Sequence, residues 1–174
     1  MTFVSTDWRI SVADVEYPKL PDDGFEGITR NDLIHIASQV WEYRFGGDRA
    51  KIIRAMRDDF ETENINCDQF TFTHEGETHI ICDEDVYLQY RNASIESMVE
   101  MAQDDIDSSL VNCGSYVAPY LKFDEDAFVR DLDINGDIDA GISGWDGVVE
   151  QLYTIILIDD KYYRGDGLYT WRID

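Results

Sequence analysis

The spacing of apolar residues changes along the chain, and each change marks an element. Leu33, Ile36, Ala37, Val40 and Trp41 recur at helical spacing behind Thr29 and Asp32, a capping-box-like Thr-x-x-Asp, and Gly46-Gly47 closes the helix. Asp48 opens a second helix to about Phe60, burying Ile52, Ile53, Met56 and Phe60 and turning Arg49, Lys51, Arg54 and Arg57 outward. That stripe reads as a solvated face that pairs with the protein's own acids. The period falls to two in residues 70–74 and 78–82, around Glu75-Gly76-Glu77, which predicts a hairpin with a three-residue loop. Residues 86–90 read as a third strand. Residues 1–28, broken by Pro18, Pro21, Gly24 and Gly27, read as irregular or strand-like.

Helical spacing returns after Ser94, a good N-cap, with Ile95, Met98, Val99, Ala102 and Ile106 as an apolar stripe. Glu96, Glu100, Asp104 and Asp107 recur on other positions, with Asp105 beside them. A four-residue step rises about 6 Å on a helix, so a row of anions at that spacing is expected. Like charges at i,i+4 each cost a few tenths of a kcal/mol, about the size of the favourable pairs they replace. Asp124 caps a further short helix, with Phe123 and Phe128 placed as a hydrophobic staple and Asp126, Arg130 and Asp131 outward. Residues 131–146 read as an acidic, glycine-containing loop, and residues 151–158, 161–163 and 168–172 as a small aromatic β-meander. The expected class is α+β: elongated, built of small modular subdomains with short sheets and acidic surface helices.

Charge divides the chain into three. Residues 58–150 hold 24 acids and 3 bases, residues 1–57 hold 9 and 8, and residues 151–174 hold 4 and 3. The expected parts are a near-neutral helical module (1–62), an acidic α/β module (63–150) and the meander packed on it (151–174). With 44% hydrophobic and 13% aromatic residues the chain is too apolar for a disordered acidic tail. A single-sign field of this size opposes compaction, so a cationic partner, bound cations or a high-salt habitat should offset it. Against high salt stand the localisation of the charge and the aliphatic content, rich in Ile and poor in Ala. An anionic surface argues against binding nucleic acid or anionic membranes directly.

Metal and catalytic motifs are weak. Asp131, Asp133, Asn135, Gly136, Ile138 and Asp139 follow a calcium-loop pattern, with Asp137 between them, but position 12 is Ile142, not a bidentate Glu. An acidic turn is the favoured reading, and a calcium-binding interaction module on Asp131, Asp133, Asn135, Asp137 and Asp139 the competing one. Cys67, His74, His79 and Cys82 have no standard zinc spacing and straddle a hairpin that splits them between faces. Three cysteines without a CxxC and no basic-then-apolar leader point to a reduced, cytoplasmic setting. Arg164-Gly165-Asp166 and the sequon Asn92-Ala93-Ser94 are short matches with no bearing there. No GxSxG, P-loop, GxGxxG or HExxH occurs, so the chain reads as non-enzymatic and without a cofactor.

The charge itself suggests a use. Duplex DNA carries about two charges per base pair, so a net of −21 matches roughly 10 base pairs. A folded acidic surface can therefore fill the cationic groove of a DNA-binding enzyme, releasing the same counterions. Residues 97–139, centred on Tyr120-Leu-Lys-Phe-Asp124-Glu-Asp-Ala-Phe128-Val-Arg130-Asp131-Leu132, resemble the C-terminal signature of the ArdA antirestriction proteins. The acidic helix before them also sits where that family has one. The resemblance implies an elongated, modular DNA mimic carried by phages, plasmids or transposons. It implies inhibition of type I restriction-modification enzymes in the host bacterial cytoplasm, and a homodimer formed through the C-terminal region. A CRISPR effector is the alternative target. The expected phosphate surrogates are Glu96, Glu100, Asp104, Asp105, Asp107, Asp124, Asp126, Asp131 and Asp133.

Overall fold

The computed structural model describes residues 25, 27–66, 68–110, 121–152, 155–158, 161–164 and 167–174. The expectations for residues 1–24, Cys67, Cys113, Tyr120 and Gly165-Asp166 lie outside them. The fold is α+β, with helices and antiparallel sheet.

The first two helices form where the apolar spacing places them. Helix α1 (Arg30–Phe45) starts at Thr29, whose Oγ1 accepts from Asp32 N while Asp32 Oδ2 accepts from Thr29 N, a reciprocal capping box. Gly46 ends it at φ 73°, a conformation costly for a residue with a Cβ. Asp48 caps α2 (Arg49–Asp59) by accepting from Ala50 N and Lys51 N. Its Arg49, Lys51, Arg54 and Arg57 stand exposed, and Arg49 pairs with Glu42 of α1.

Strands β1 (Glu61–Asn66), β2 (Gln69–His74) and β3 (Glu77–Asp83) run antiparallel in succession. The β2–β3 connection is shorter than expected: His74 pairs with Glu77, leaving the two-residue turn Glu75-Gly76. Both residues have positive φ (51° and 80°), as a type I′ turn requires. Strand β4 (Val149–Gln151), hairpin β5 (Ile155–Ile158) and β6 (Lys161–Arg164), and β7 (Leu168–Arg172) complete the set. The sheet order is β1-β2-β3-β7-β4, with β5–β6 as a separate two-stranded ladder. The expected meander therefore does not form: β7 leaves β6 to insert between β3 and β4, burying Leu168, Thr170 and Trp171.

Residues 86–90 are not a strand, and Ser94 is not a cap. Both lie inside α3 (Glu84–Leu110), a continuous helix of 27 residues. Asp83, at the end of β3, accepts from Val86 N and starts the helix directly off the sheet. Tyr87 then stacks on Tyr169 (4.0 Å between centroids, 6° between planes), and Tyr90 meets Trp171 edge-on at 5.1 Å. Residues 131–146 are also more ordered than a loop. Helix α4 (Glu125–Asn135) continues through Asp131 and Asp133, Gly136 turns the chain at φ 78°, and α5 (Asp137–Ile142) follows. The staple is formed, with Phe123 and Phe128 rings 5.3 Å apart, and Asp124 accepts from Ala127 N.

Sheet alternation sends side chains to two cores. On one face Leu33, Ile36, Val40 and Trp41 of α1 and Met56 of α2 pack against Phe70, Phe72, Ile81 and Leu168. On the other, Ile80, Cys82 and Trp171 pack against Val86 and Tyr87 of α3 and Ile142 of α5. The first core draws on all three charge-defined stretches of the sequence.

Candidate functional site: an acidic helical surface

Helix α3 is about 40 Å long at 1.5 Å per residue. Its inner half is anchored. Ser94, the buried residue of the helix, donates to the Ile138 carbonyl of α5 at 3.1 Å. Gly141 lets α5 come that close, because a Cβ there would lie 2.2 Å from Ser94 Oγ and 2.6 Å from Met98 Cε. Arg91 reaches Asp133 Oδ1 of α4 at 2.7 Å. These contacts fix α4 and α5 along one side of α3 and leave its acidic side in solvent.

All nine expected phosphate surrogates are exposed. They do not act alike. Glu96, Glu100, Asp104 and Asp107 fall within about 80° of arc at 100° per residue, so they form one row. Asp105 lies about 180° from Glu96 and faces elsewhere. Asp107 accepts from Gln103 Nε2 at 2.8 Å. Asp124 is engaged as the α4 cap, and Asp133 is neutralised by Arg91. Among the described residues Asp126 and Asp131 take no such role, and they lie on α4 about 140° apart around its axis.

One grouping crosses between helices. Glu125, in the first turn of α4, shares a shallow cleft with Glu96, Glu100 and Asp104. Ile95, Val99 and Gln103 supply the rest of its walls, enclosing about 360 Å³. The apolar stripe of α3 is thus only half-buried, and part of it floors this cleft. Glu125 was not among the expected surrogates. Its neighbour Asp124 marks the helix start, but the juxtaposition with α3 arises from packing.

The metal readings fare differently. Asp131, Asp133 and Asn135 lie in the last turns of α4, while Asp137 and Asp139 lie in α5. A calcium loop needs irregular backbone wrapped around the ion, and a helix cannot converge those side chains on one point. Burial raises the Asp139 carboxyl above its usual range, which opposes an anionic ligand there. Among the described residues no group of three or more His, Cys, Asp or Glu is placed to hold a metal. His74 and His79 contact Trp41 on the α1 side of the sheet, whereas Cys82 joins the opposite core. Burial pushes the Cys82 thiol up to about 12, so it is an inert core residue.

A second charged cluster among the described residues is centred on the buried side chains of Arg44 and His79. The Arg44 side chain, almost fully buried, reaches Asp146 Oδ2 at 2.7 Å, Glu150 Oε2 at 3.1 Å and His79 Nδ1 at 3.1 Å. His79 Nε2 lies 3.3 Å from Glu77, which also binds Arg172 at 2.9 Å. Burial, then the Arg44 charge, lowers His79 to about 4, so it is neutral near pH 7. Burial would raise Asp146, but the Ser143 hydroxyl, the Val148 amide and Arg44 hold it below its usual range. The cluster ties α1 to β3, β4 and β7.

Comparison with protein-family models, with curated proteins and with solved structures finds no match to the chain. Among the described residues no helix is long and apolar enough to cross a membrane.

Proposed function

We propose that this protein is a DNA-mimic inhibitor that occupies the DNA-binding groove of a bacterial defence enzyme, with type I restriction-modification as the first target to test. The observation that carries the reading is α3: a continuous helix of 27 residues whose Glu96, Glu100, Asp104 and Asp107 form an exposed row. From Glu96 to Asp107 the row runs about 17 Å, the axial rise of roughly 5 base pairs at 3.4 Å each. Carboxylates about 6 Å apart along it present anions at about the separation of neighbouring phosphates. The row is costly to the free protein through like-charge repulsion, a cost that a cationic groove would reverse. Restriction-modification is preferred over a CRISPR effector because residues 97–139 resemble the ArdA signature. The calcium-module alternative loses its support with the helical backbone of residues 131–135.

Competition on the target tests the reading. A labelled duplex is bound to a type I restriction enzyme at low salt, and the protein is titrated in while anisotropy is followed. The protein should displace the duplex, with potency falling as salt rises. Single substitutions should change little, because the charge is redundant. Reversal of Glu96, Glu100, Asp104, Asp107 and Asp131 to Lys together should abolish displacement. A quintuple variant with unchanged circular dichroism that still displaces DNA would refute the proposal.

A further inference from the structure

The α3–α4 cleft combines two features that a uniform anionic coat lacks. Its floor is aliphatic, from Ile95 and Val99, and its rim carries Glu96, Glu100 and Asp104 from one helix and Glu125 from the other. None of these four carboxylates takes part in an ion pair among the described residues. Four anions around a cleft of about 360 Å³ select a cation. The apolar floor selects the shape of that cation. A bare ammonium or metal ion would leave Ile95 and Val99 wet. A side chain with an apolar stem and a charged head would cover the floor and reach the rim together.

Resting on the DNA-mimic reading, we infer that this cleft receives an arginine side chain of the partner protein. The arginine methylenes would lie on Ile95 and Val99, and the planar guanidinium would meet the carboxylates next to them, with Asp104, nine residues from Ile95, at the far end of the cleft. Arginine is favoured over lysine on two grounds. Its fork can bond two carboxylate oxygens in parallel, and its head is more weakly hydrated, so less is lost on entering a half-apolar site. Charge complementarity sets the sign of the occupant, and the floor sets its length. DNA-binding grooves line phosphates with arginines, so the cleft would hold one of them in place where the acidic row only attracts. Salt should weaken the attraction of the row far more than the seating of the stem.

The full-length protein is titrated against fluorescein-labelled nona-arginine and nona-lysine at low and at high salt, and dissociation constants are read by anisotropy. Arginine forms bidentate bonds on any acidic surface, so the cleft is isolated by a variant of unchanged charge, Ile95→Ser with Val99→Ser. Nona-arginine should bind about tenfold tighter than nona-lysine at high salt, as one seated bidentate pair is worth about a factor of ten. The double variant should lose most of that preference while its affinity for nona-lysine stays the same. Val99→Thr, close in volume, and Glu125→Gln give the same readout should the double variant not fold. Each should lower the preference partway. A preference that survives in all the folded variants would overturn the cleft assignment and leave the DNA-mimic reading standing. Failure of both peptides to bind at low salt would instead count against the mimic itself. Sedimentation of the protein alone covers the remaining occupant. Self-association abolished by Val99→Thr would assign the cleft to a second copy, through the exposed arginines of α2, and overturn the proposal.

Discussion

Gly141 carries more structural weight than its place on a six-residue helix suggests. In an ordinary helix a Gly→Ala change gains about 1 kcal/mol. Here the added Cβ would sit 2.2 Å from Ser94 Oγ, which is held by the Ile138 carbonyl. Gly141→Ala should therefore destabilise, by about 1–3 kcal/mol for an overpacked contact. Adding Ser94→Ala removes the struck atom and should recover part of the loss, a coupling that thermal denaturation of the two single variants and the double variant will show. His79 gives a second prediction at this scale. Its folded value of about 4 lies below the 6.5 of an exposed histidine. Between those values the unfolded chain binds more protons, so the stability due to neutral His79 is complete above pH 6.5 and is lost as pH falls toward 4. The full difference is on the order of 3 kcal/mol. His79→Gln should flatten the stability-against-pH curve across that window, measured by urea unfolding. An unchanged slope would place the titration on another group.

The elements divide into those written in local sequence and those decided by distant partners. Helices α1 and α2 follow from caps and apolar spacing, and both are found where Thr29, Gly46 and Asp48 put them. The β2–β3 hairpin follows from its alternation, though Glu75 adopts a positive φ and shortens the turn to two residues. Residues 86–90 show where local reading stops. Val86, Leu88 and Tyr90 alternate as a strand would, yet the helix forms because Tyr87 and Tyr90 meet Tyr169 and Trp171, some 80 residues on. In the same way Asp131, Asp133 and Asn135 fit a calcium loop letter by letter, while Gly136 supplies a helix C-cap. The acidic row was legible because i,i+4 spacing survives any packing. Glu125 joining it was not, since that depends on where α4 docks. The α4 cap is itself testable. Asp124→Ala should cost about 1 kcal/mol by leaving Ala127 N without its acceptor. Since α4 carries Glu125 into the cleft, that variant should also weaken nona-arginine binding more than nona-lysine binding.

At the scale of the whole molecule, salt separates the two explanations of the charge. A net of −23, most of it in residues 58–150, opposes compaction, and added salt screens charges more than about 10 Å apart at 0.1 M. Salt should therefore raise the melting temperature of the free protein under either explanation. The difference lies at the low-salt end and in the partner. A chain adapted to high salt depends on screening to fold and would lose its helical circular dichroism in about 10 mM salt, where the Debye length reaches about 30 Å. A DNA mimic must be folded there, because counterion release makes its binding strongest at low salt. The two cores and the ion pairs around the buried Arg44 side chain hold the sheet between its helices through contacts within the protein. The expected outcome is a native spectrum at low salt, a melting temperature that climbs with salt, and target affinity that falls over the same range. Opposite slopes for stability and binding would arise from one cause, the repulsion within the acidic surface that a cationic groove relieves as salt does. An unfolded chain at low salt, refolding only in molar salt, would return the charge to habitat and remove the main support for mimicry.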